Sequence, residues 1–407
     1  MNSTRSGNCL TGLDNLLAGL DGEDKRILFL REQKKIGLVS NSRALDERGE
    51  VNLTSLLGRG IKISCIFTPE HGYFANIRDG DYIADGAHPE LGIPLYSLFT
   101  EGHEKNAVAV EGGREGVSSL IFDIQDAGVR FYTYIHALGL AIAGARELGI
   151  PLIVLDRPNP AGLEFTEGFL PEPSFHSEIC PFDIPARYAL TIGELASFIA
   201  KKYYPGATVS VIPVEGYSRK MYFADTGLEF HPPSPAMISA ETAAFYPGTC
   251  FIEGTNMSEG RGTVGPFRII GAPFCDAERI CAALRGFLDT PEFNGIKVEP
   301  VAFTPTQSKY EGTACGGVML KSEKAGFRAM KFGLIVIKTI YDIHRKEIEF
   351  IRSPKSGLYF FDRLAGTSAV RETIVSGSLD DVIGLEKLWE PQIKKFGETC
   401  AEFKIYS

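Results

Sequence analysis

Short apolar segments alternate with helical segments through the first half of this 407-residue chain. Strands are predicted at residues 35–39, 62–67, 119–122, 152–155 and 208–213, and helices at 53–57, 133–148 and 191–204. Such alternation is typical of an α/β fold in which helices cover both faces of a parallel sheet. Residues 152–155 are apolar throughout, as expected of a central strand that is buried on both sides. Thr191 and Glu194 have the spacing of a capping box, which predicts where the third helix begins.

The sequence changes character near residue 225, where proline-rich turns at 231–235 and 246–248 interrupt the pattern. A second pattern of strands and helices follows these turns. Its strands are predicted at 298–303 and 317–320, and its helices at 327–346, 368–376 and 379–395. A chain of this length is too long for one ordinary core. We therefore predict two domains, residues 1–225 and a smaller second domain at 226–407.

Polar and charged side chains cluster where three of the predicted strands end. Residues 68–72, 123–134 and 156–160 each follow an apolar strand and carry acids, amides or arginines. Ligands of open α/β sheets bind outside the carboxyl ends of the strands, so these segments are expected to meet at one crevice. The candidate site residues in these segments are Glu70, His71, Gln125, Asp126, Arg130, Tyr134, Asp156, Arg157 and Asn159.

Each of these segments also has a purely structural interpretation. A plain turn explains residues 69–72, and a helix cap explains the acids within 123–126. An internal ion pair explains residues 156–157. Simple capping requires neither Gln125 nor Arg130, and this favours a binding role for the second segment.

A glycine-rich segment at 253–263 has only a superficial similarity to a phosphate-binding loop. It lacks the GxxxxGK[ST] order and the GxGxxG turn between a strand and a helix, so it does not favour a nucleotide-dependent enzyme. Its many donors and acceptors suit a loop that lines a ligand site, although a structural loop is the alternative. The candidate residues of this loop are Glu253, Asn256, Glu259 and Arg261.

Composition argues against several classes of function. The formal net charge of −9 disfavours broad binding to nucleic acid. No run of about 18 apolar residues exists, so no membrane span is predicted. The 8 cysteines and 7 histidines are dispersed, which predicts free buried thiols and no metal site. The first residues lack the apolar region of a signal peptide, which predicts a cytoplasmic protein.

Taken together, the motifs resemble those of the exo-acting β-N-acetylmuramidases of peptidoglycan recycling. The matching segments run in family order through nearly the whole chain, at residues 68–72, 124–134, 155–160, 253–263 and 303–310. The resemblance implies a Rossmann-like domain, a smaller α/β (α+β) C-terminal domain, and a cleft between them. It also implies that the chain removes N-acetylmuramic acid from the non-reducing ends of peptidoglycan fragments. No cofactor is expected, and the oligomeric state is left open.

Glycosidases of this kind use a carboxylic acid together with a second carboxylate that acts as base or nucleophile. Glu70 is predicted to be the acid, because apolar neighbours would partly desolvate its carboxyl and raise its pKa. The second carboxylate is sought first at Asp126 and then at Glu253 and Glu259.

The lactyl carboxylate distinguishes N-acetylmuramic acid from N-acetylglucosamine. A guanidinium suits this group because it pairs with both oxygens. Arg130, Arg157 and Arg261 each lie inside a matching motif. Arg130 is favoured because it lies near a predicted helix start, where backbone N–H groups would add to an anion site.

Several positions differ from the usual family pattern, and three of them lie near the expected cleft. Tyr188 stands where the family has histidine, Ala236 where it has asparagine, and Gly265 where it has arginine. These differences keep a second hypothesis open, namely a catalytically impaired protein of the same fold that binds amino sugars without hydrolysing them.

Overall fold

The computed structural model describes residues 9–20, 25–33, 35–99, 106–324, 326–354 and 356–407. Its strands are β1 (Ile36–Ser40), β2 (Ile63–Thr68), β3 (Gly86–Ala87), β4 (Pro94–Ser97), β5 (Ser119–Asp123), β6 (Leu152–Leu155), β7 (Val209–Ile212), β8 (Ile269–Ala272), β9 (Ile296–Phe303) and β10 (Cys315–Ser322). Its helices are α1 (Gly12–Gly19), α2 (Lys25–Glu32), α3 (Asn52–Gly58), α4 (Ala107–Glu115), α5 (Tyr134–Leu148), α6 (Ile192–Tyr203), α7 (Ala240–Thr249), α8 (Ala277–Leu288), α9 (Ala329–Ile343), α10 (Phe360–Ala365), α11 (Ala369–Ser376) and α12 (Leu379–Cys400).

One sheet organises the first half of the chain, with the strand order β3-β4-β2-β1-β5-β6-β7. Neighbouring strands from β4 to β7 are parallel, and the short edge strand β3 pairs antiparallel with β4. The five strands predicted for this half are therefore confirmed, each to within one residue at either end. The chain order reverses at β1, so the loops after β1, β2 and β5 open on the same edge of the sheet.

Alternation of side chains along the strands supplies both faces of this sheet with apolar residues. Leu38 and Ile121 pack in a cluster with α1 and α3 on one face. Val39 and Phe122 pack with α4, α5 and α6 on the other face. Because both faces are covered, β1, β5 and β6 are buried along their whole length.

The second half forms a smaller α+β unit around an antiparallel sheet with the order β8-β10-β9. The strands predicted at 298–303 and 317–320 are present as β9 and β10, and the three predicted helices are present as α9, α11 and α12. The short strand β8 and helices α7, α8 and α10 were not predicted. In α8 only Ile280 and Leu284 are buried, so its apolar stripe is narrow.

The capping box predicted for α6 is confirmed. The Glu194 backbone N–H donates to the Thr191 hydroxyl at 3.2 Å, and the Thr191 N–H donates to the Glu194 carboxylate at 3.1 Å. These two bonds satisfy N–H groups at the helix start that would otherwise lack acceptors.

A continuous apolar core joins the two halves of the chain. Phe131 of the first half makes edge contacts with Tyr246 and Phe251 of the second, with ring centroids 5.7 and 5.6 Å apart. Trp389 of α12 packs in the same way on Phe169, at 5.4 Å. The domain boundary at residue 225 stays a prediction.

All eight cysteines are free thiols, as predicted, and six of them are buried. None of the described helices is long and apolar enough to cross a membrane.

Candidate active site

A cleft of about 340 Å³ lies between the two halves of the chain. One wall comes from the loop after β2 and from the segment that precedes α5. The other wall comes from α7, the glycine-rich loop and α10. Its charged and titratable lining residues are Glu70, His71, Asp79, Tyr132, Tyr246, Glu253, Arg261 and Arg363.

Glu70 lies on the first wall, in the turn that follows β2. Its carboxylate accepts a bond from the Thr133 hydroxyl at 2.6 Å and one from the Gly80 N–H at 3.2 Å. Thr133 precedes α5, but its hydroxyl does not cap that helix. The Thr133 hydroxyl therefore positions the Glu70 carboxylate instead of capping α5.

The turn that carries Glu70 has an uncommon backbone conformation. His71 has φ of 72°, a left-handed value that side chains other than glycine seldom adopt. Its Nδ1 lies 2.8 Å from the Ile77 carbonyl oxygen, so Nδ1 carries the proton and donates it to that oxygen. Gly72 follows, also with φ of 72°. Such strain is typical of functional sites, and here it directs the His71 ring into the cleft.

Arg261 lies at the centre of an acidic cluster on the second wall. Its guanidinium contacts Asp79 at 2.6 Å and Glu259 at 3.0 Å, and it also pairs with Glu253. Lys309 contacts Glu259 from the other side at 3.0 Å. The glycine-rich loop therefore presents Glu253 and Arg261 to the cleft, while Glu259 lies behind them and is buried.

The pKa values of the two glutamates of this loop are shifted in opposite directions. Burial raises the pKa of Glu253, and the Arg261 charge offsets only part of that effect. Burial opposes ionisation of Glu259 as well, but the charges of Lys309 and Arg261 outweigh it and lower the pKa of Glu259. Glu253 is therefore the acid of this cluster that holds a proton more readily than an ordinary glutamate.

The glycines of this loop serve backbone packing. A side chain at Gly260 would lie 2.5 Å from the Ile269 carbonyl oxygen, and one at Gly262 would lie 2.3 Å from the Thr306 hydroxyl. Asn256 was predicted to bind substrate, but it lies outside the cleft lining. Its amide instead exchanges bonds with the backbone of residues 347 and 349, which fixes the loop in place.

The structure does not place Arg130 in the cleft. Arg130 is completely buried. Its Nη1 donates to the carbonyls of Phe169 and Ile184, both at 2.7 Å, and its Nη2 donates to the carbonyl of Leu364 at 2.9 Å. A guanidinium held in this way joins three chain segments and cannot reach a sugar carboxylate.

Asp156 is likewise buried within the first half of the chain and does not line the cleft. It accepts bonds from the hydroxyls of Thr191 at 2.7 Å and Tyr406 at 2.5 Å. Burial raises its pKa to about 6. These contacts give Asp156 a structural role in place of the predicted binding role.

Asn159 and Tyr134 are also buried outside the cleft lining. Asn159 donates to the Leu190 carbonyl at 2.8 Å, which fixes a turn. Tyr134 donates to the Pro233 carbonyl at 2.6 Å. Because the next residue, Ser234, lines the cleft, Tyr134 positions the wall without touching its interior.

Asp126 lies below the cleft rather than in it, and its side chain is 5% exposed. It accepts a bond from the Gly128 N–H at 2.6 Å and another from the Tyr188 hydroxyl. Burial raises its pKa to about 6, although both bonds favour the ionised form. Its Oδ1 has no partner among the described residues.

A second, larger cavity of about 930 Å³ lies near the ends of β1 and β6 and contains Gln125 and Arg157. Arg157 forms an ion pair with Asp123 at 2.6 Å, so its partner is not the neighbouring Asp156. Gln125 donates to the Pro158 carbonyl at 3.0 Å. Two of the acids that line this cavity bind backbone N–H groups: Asp14 accepts from Glu47, and Asp46 accepts from Arg48 and Glu50 within a local turn.

Asp79, Thr133 and Arg363 line the cleft but were not predicted to be site residues. Asp79 lies in a polar, glycine-containing stretch ten residues after β2, and this stretch was a detectable loop signal. Thr133 belongs to the segment 123–134 at the end of β5, but the sequence did not indicate a role for it. Arg363 lies on α10, a helix of six residues that was not predicted because its sequence shows no helical periodicity.

Two family descriptions match the chain over most of its length. The N-terminal part of the exo-β-N-acetylmuramidase NamZ matches residues 36–241, and the C-terminal part matches residues 244–406. The chain belongs to the NamZ family. It is therefore a glycoside hydrolase, and the family that the motifs indicated is confirmed. The peptidoglycan β-N-acetylmuramidase NamZ of Bacillus subtilis (strain 168) is 37% identical over 399 residues, which cover 97% of this chain and 91% of that protein.

Solved structures share the fold of this NamZ-family chain. A DUF1343 family protein from Bacteroides fragilis NCTC 9343 has a TM-score of 0.81 at 25% identity. A second protein of that family and strain has a TM-score of 0.73 at 24% identity. Each comparison covers 98% of this chain and 99% of the other. The arrangement of a large parallel sheet and a smaller second sheet is therefore common to these proteins.

Proposed function

We propose that this chain is an exo-β-N-acetylmuramidase, which releases terminal β-linked N-acetylmuramic acid from peptidoglycan fragments. The observation that carries this proposal is the pair of carboxyl groups on opposite walls of the cleft, Glu70 and Glu253. Similarity to the Bacillus subtilis muramidase over nearly the whole chain supports it. The volume of the cleft lies at the lower end for small-molecule sites, which suits a terminal sugar better than a long glycan.

The proposed chemistry divides between the two carboxyl groups. One carboxylic acid protonates the glycosidic oxygen as the bond to the sugar breaks, and one carboxylate activates water or attacks the sugar carbon. Asp126 and Glu259 do not line the cleft, and Glu259 is connected to Glu253 through Arg261. Arg261 balances the charge of Glu253 and Asp79 while the reaction proceeds.

Assignment of the acid to Glu70 stays a prediction. Both oxygens of Glu70 accept hydrogen bonds, one from the Gly80 N–H and one from the Thr133 hydroxyl. Burial raises the pKa of Glu253, which favours its protonated form. The environments of the two groups therefore also allow the reverse assignment, with Glu253 as the acid.

Kinetics on two substrates test the function and the assignment together. We expect Glu70→Gln and Glu253→Gln each to lower kcat/KM on a disaccharide with a terminal β-linked N-acetylmuramic acid by about a hundredfold or more. The variant that lacks the acid should keep more of its activity on a nitrophenyl β-N-acetylmuramide, because nitrophenolate departs without protonation.

Glu90→Gln is the matched control, because Glu90 is exposed in a loop away from the cleft. It should retain the activity of the unmodified protein. If Glu70→Gln cleaves the disaccharide at the unmodified rate, Glu70 is not part of the catalytic pair. If the unmodified protein cleaves no muramide, the proposed function is wrong.

The impaired-protein hypothesis has no supporting contact in the cleft. Ala236 lines the cleft, and Tyr188 bonds Asp126 beneath it, but neither residue displaces Glu70 or Glu253. Calorimetry separates the two hypotheses, because binding of N-acetylmuramic acid together with no measurable hydrolysis would support impairment.

A further inference from the structure

The cleft contains one arginine that is not neutralised by a carboxylate of the cleft. Arg261 is paired with Asp79 and Glu253, so its donors are already used. Arg363 lines the same cleft from α10, on the wall opposite Glu70. Among the described acids, Arg363 contacts only Glu178, at the rim.

The contact between Arg363 and Glu178 is weak. Its N–O distance is 3.4 Å, longer than the roughly 2.7–2.9 Å of a strong charge-assisted bond. The Glu178 side chain is 65% exposed, so water screens the pair and replaces the carboxylate readily. The Arg363 side chain is only 22% exposed, and its guanidinium lies 5.9 Å from the centroid of the Phe360 ring. Arg363 is therefore partly desolvated and available to a stronger anion.

We propose that Arg363 is the specificity residue that binds the lactyl carboxylate of N-acetylmuramic acid. This inference rests on the proposed function and replaces the buried Arg130 in that role. A sugar that carries a negative charge must enter a cleft already lined by Glu70, Asp79 and Glu253. A cation is needed to offset their repulsion, and a planar guanidinium can pair with both lactyl oxygens. On entry, the lactyl carboxylate displaces Glu178 from Arg363.

The test compares two ligands that differ only in this charge, N-acetylmuramic acid and its lactyl methyl ester. Calorimetry on the Glu70→Gln protein measures both affinities without turnover. We expect Arg363→Ala to weaken binding of the acid by roughly ten- to a hundredfold. Binding of the ester should change by less than about threefold. Arg363→Lys should lose part of the preference, because an ammonium keeps the charge but not the fork of donors.

Two further variants sharpen the result. Glu178→Gln should strengthen binding of the acid, because it removes the group that competes for Arg363. Arg352→Ala should leave both affinities unchanged, since Arg352 lies outside the cleft and bonds the Tyr359 hydroxyl at 2.9 Å.

Equal weakening for acid and ester, or no weakening for either, would overturn the role of Arg363. Thermal unfolding of each variant shows whether equal weakening comes from a damaged fold. Failure of the proposed function looks different: the unmodified protein would neither cleave the muramide nor prefer the acid over its ester.

Discussion

Arg261 connects the two walls of the cleft through its charge. Asp79 belongs to the loop after β2, whereas Glu253 and Glu259 belong to the glycine-rich loop, and all three pair with this one guanidinium. Lys309 adds a second cation behind Glu259. Removal of a cation from such a half-buried group leaves carboxylates unpaired at a large cost in stability. Glu253, one of the two proposed catalytic groups, is therefore held in position by the same contact that balances its charge.

Asp126 should make the stability of the protein depend on pH. Burial raises its folded-state pKa to about 6, above the ordinary value of 3.8. Between these two values the folded protein holds a proton that the unfolded chain has released, so stability falls as the pH rises. The contribution is fully present below pH 3.8 and is lost as the pH passes 6. Relative to Asp126→Asn, we expect a loss of up to about 1.4 kcal/mol per pH unit within this window.

Urea unfolding of both proteins at pH 4.5, 5.5 and about 7 measures this difference. Asp156→Asn is the companion variant, because burial raises the pKa of Asp156 to about 6 as well. If the free energies of unfolding of the unmodified protein and Asp126→Asn run parallel across these values, Asp126 does not titrate in the folded protein near pH 6.

Comparison of Glu70 with Arg130 shows which side-chain positions the sequence can predict. Glu70 directly follows a buried strand, and the carboxyl ends of parallel strands lie at the ligand-binding edge by geometry alone. Arg130 lies in an equally suggestive segment, but its partners are carbonyls at residues 169, 184 and 364. A local sequence pattern cannot predict hydrogen bonds to residues so distant in the chain. A structural arginine therefore cannot be distinguished from a ligand-binding arginine by sequence alone.

Close contact between α7 and α9 depends on two glycines. An added side chain at Gly333 would lie 2.3 Å from the backbone of Gly248, and one at Gly248 would lie 2.0 Å from the Ala329 carbonyl oxygen. We expect Gly333→Ala to destabilise the protein by about 1–3 kcal/mol through overpacking. Thermal unfolding measures this effect.

Gly384→Ala is the matched control for this prediction. Gly384 lies inside α12, and no atom lies within 4 Å of its missing side chain. Alanine there should stabilise the protein by about 0.5–1 kcal/mol, because glycine is a poor helix former. Shifts of the same sign for both variants would show that helix propensity, rather than the contact of α7 with α9, determines the result at Gly333.

Helices and strands with a strong local signal were predicted well, and those that depend on packing were not. The apolar strands β5 and β6 could be predicted from their own residues and from the turns beside them. Helix α10 has six residues, and its position depends on distant packing: a side chain at Gly254 would lie 2.6 Å from Phe361. Because α10 carries Arg363, an element that the sequence did not predict contributes a charged side chain to the cleft.

The end of the described chain returns to the first half and binds there. The Tyr406 hydroxyl donates to Asp156 at 2.5 Å and accepts from the Val214 N–H at 2.8 Å. The Ile405 N–H donates to Glu194 at 2.8 Å. None of these residues lines the cleft, so the two halves are joined here as well as at the cleft network and through their shared core.

A protein joined in this way should unfold as one unit, although its length suggests two domains. Its single tryptophan, Trp389, is 2% exposed and packs on Phe169 of the other half, so its fluorescence reports the contact between the halves. We expect the fluorescence transition in urea to coincide with the loss of helix measured by circular dichroism. Tyr406→Phe should lower both midpoints together and cost about 1–3 kcal/mol, because Asp156 stays buried with one donor fewer. A fluorescence transition that precedes the loss of helix would show that the halves separate before either unfolds.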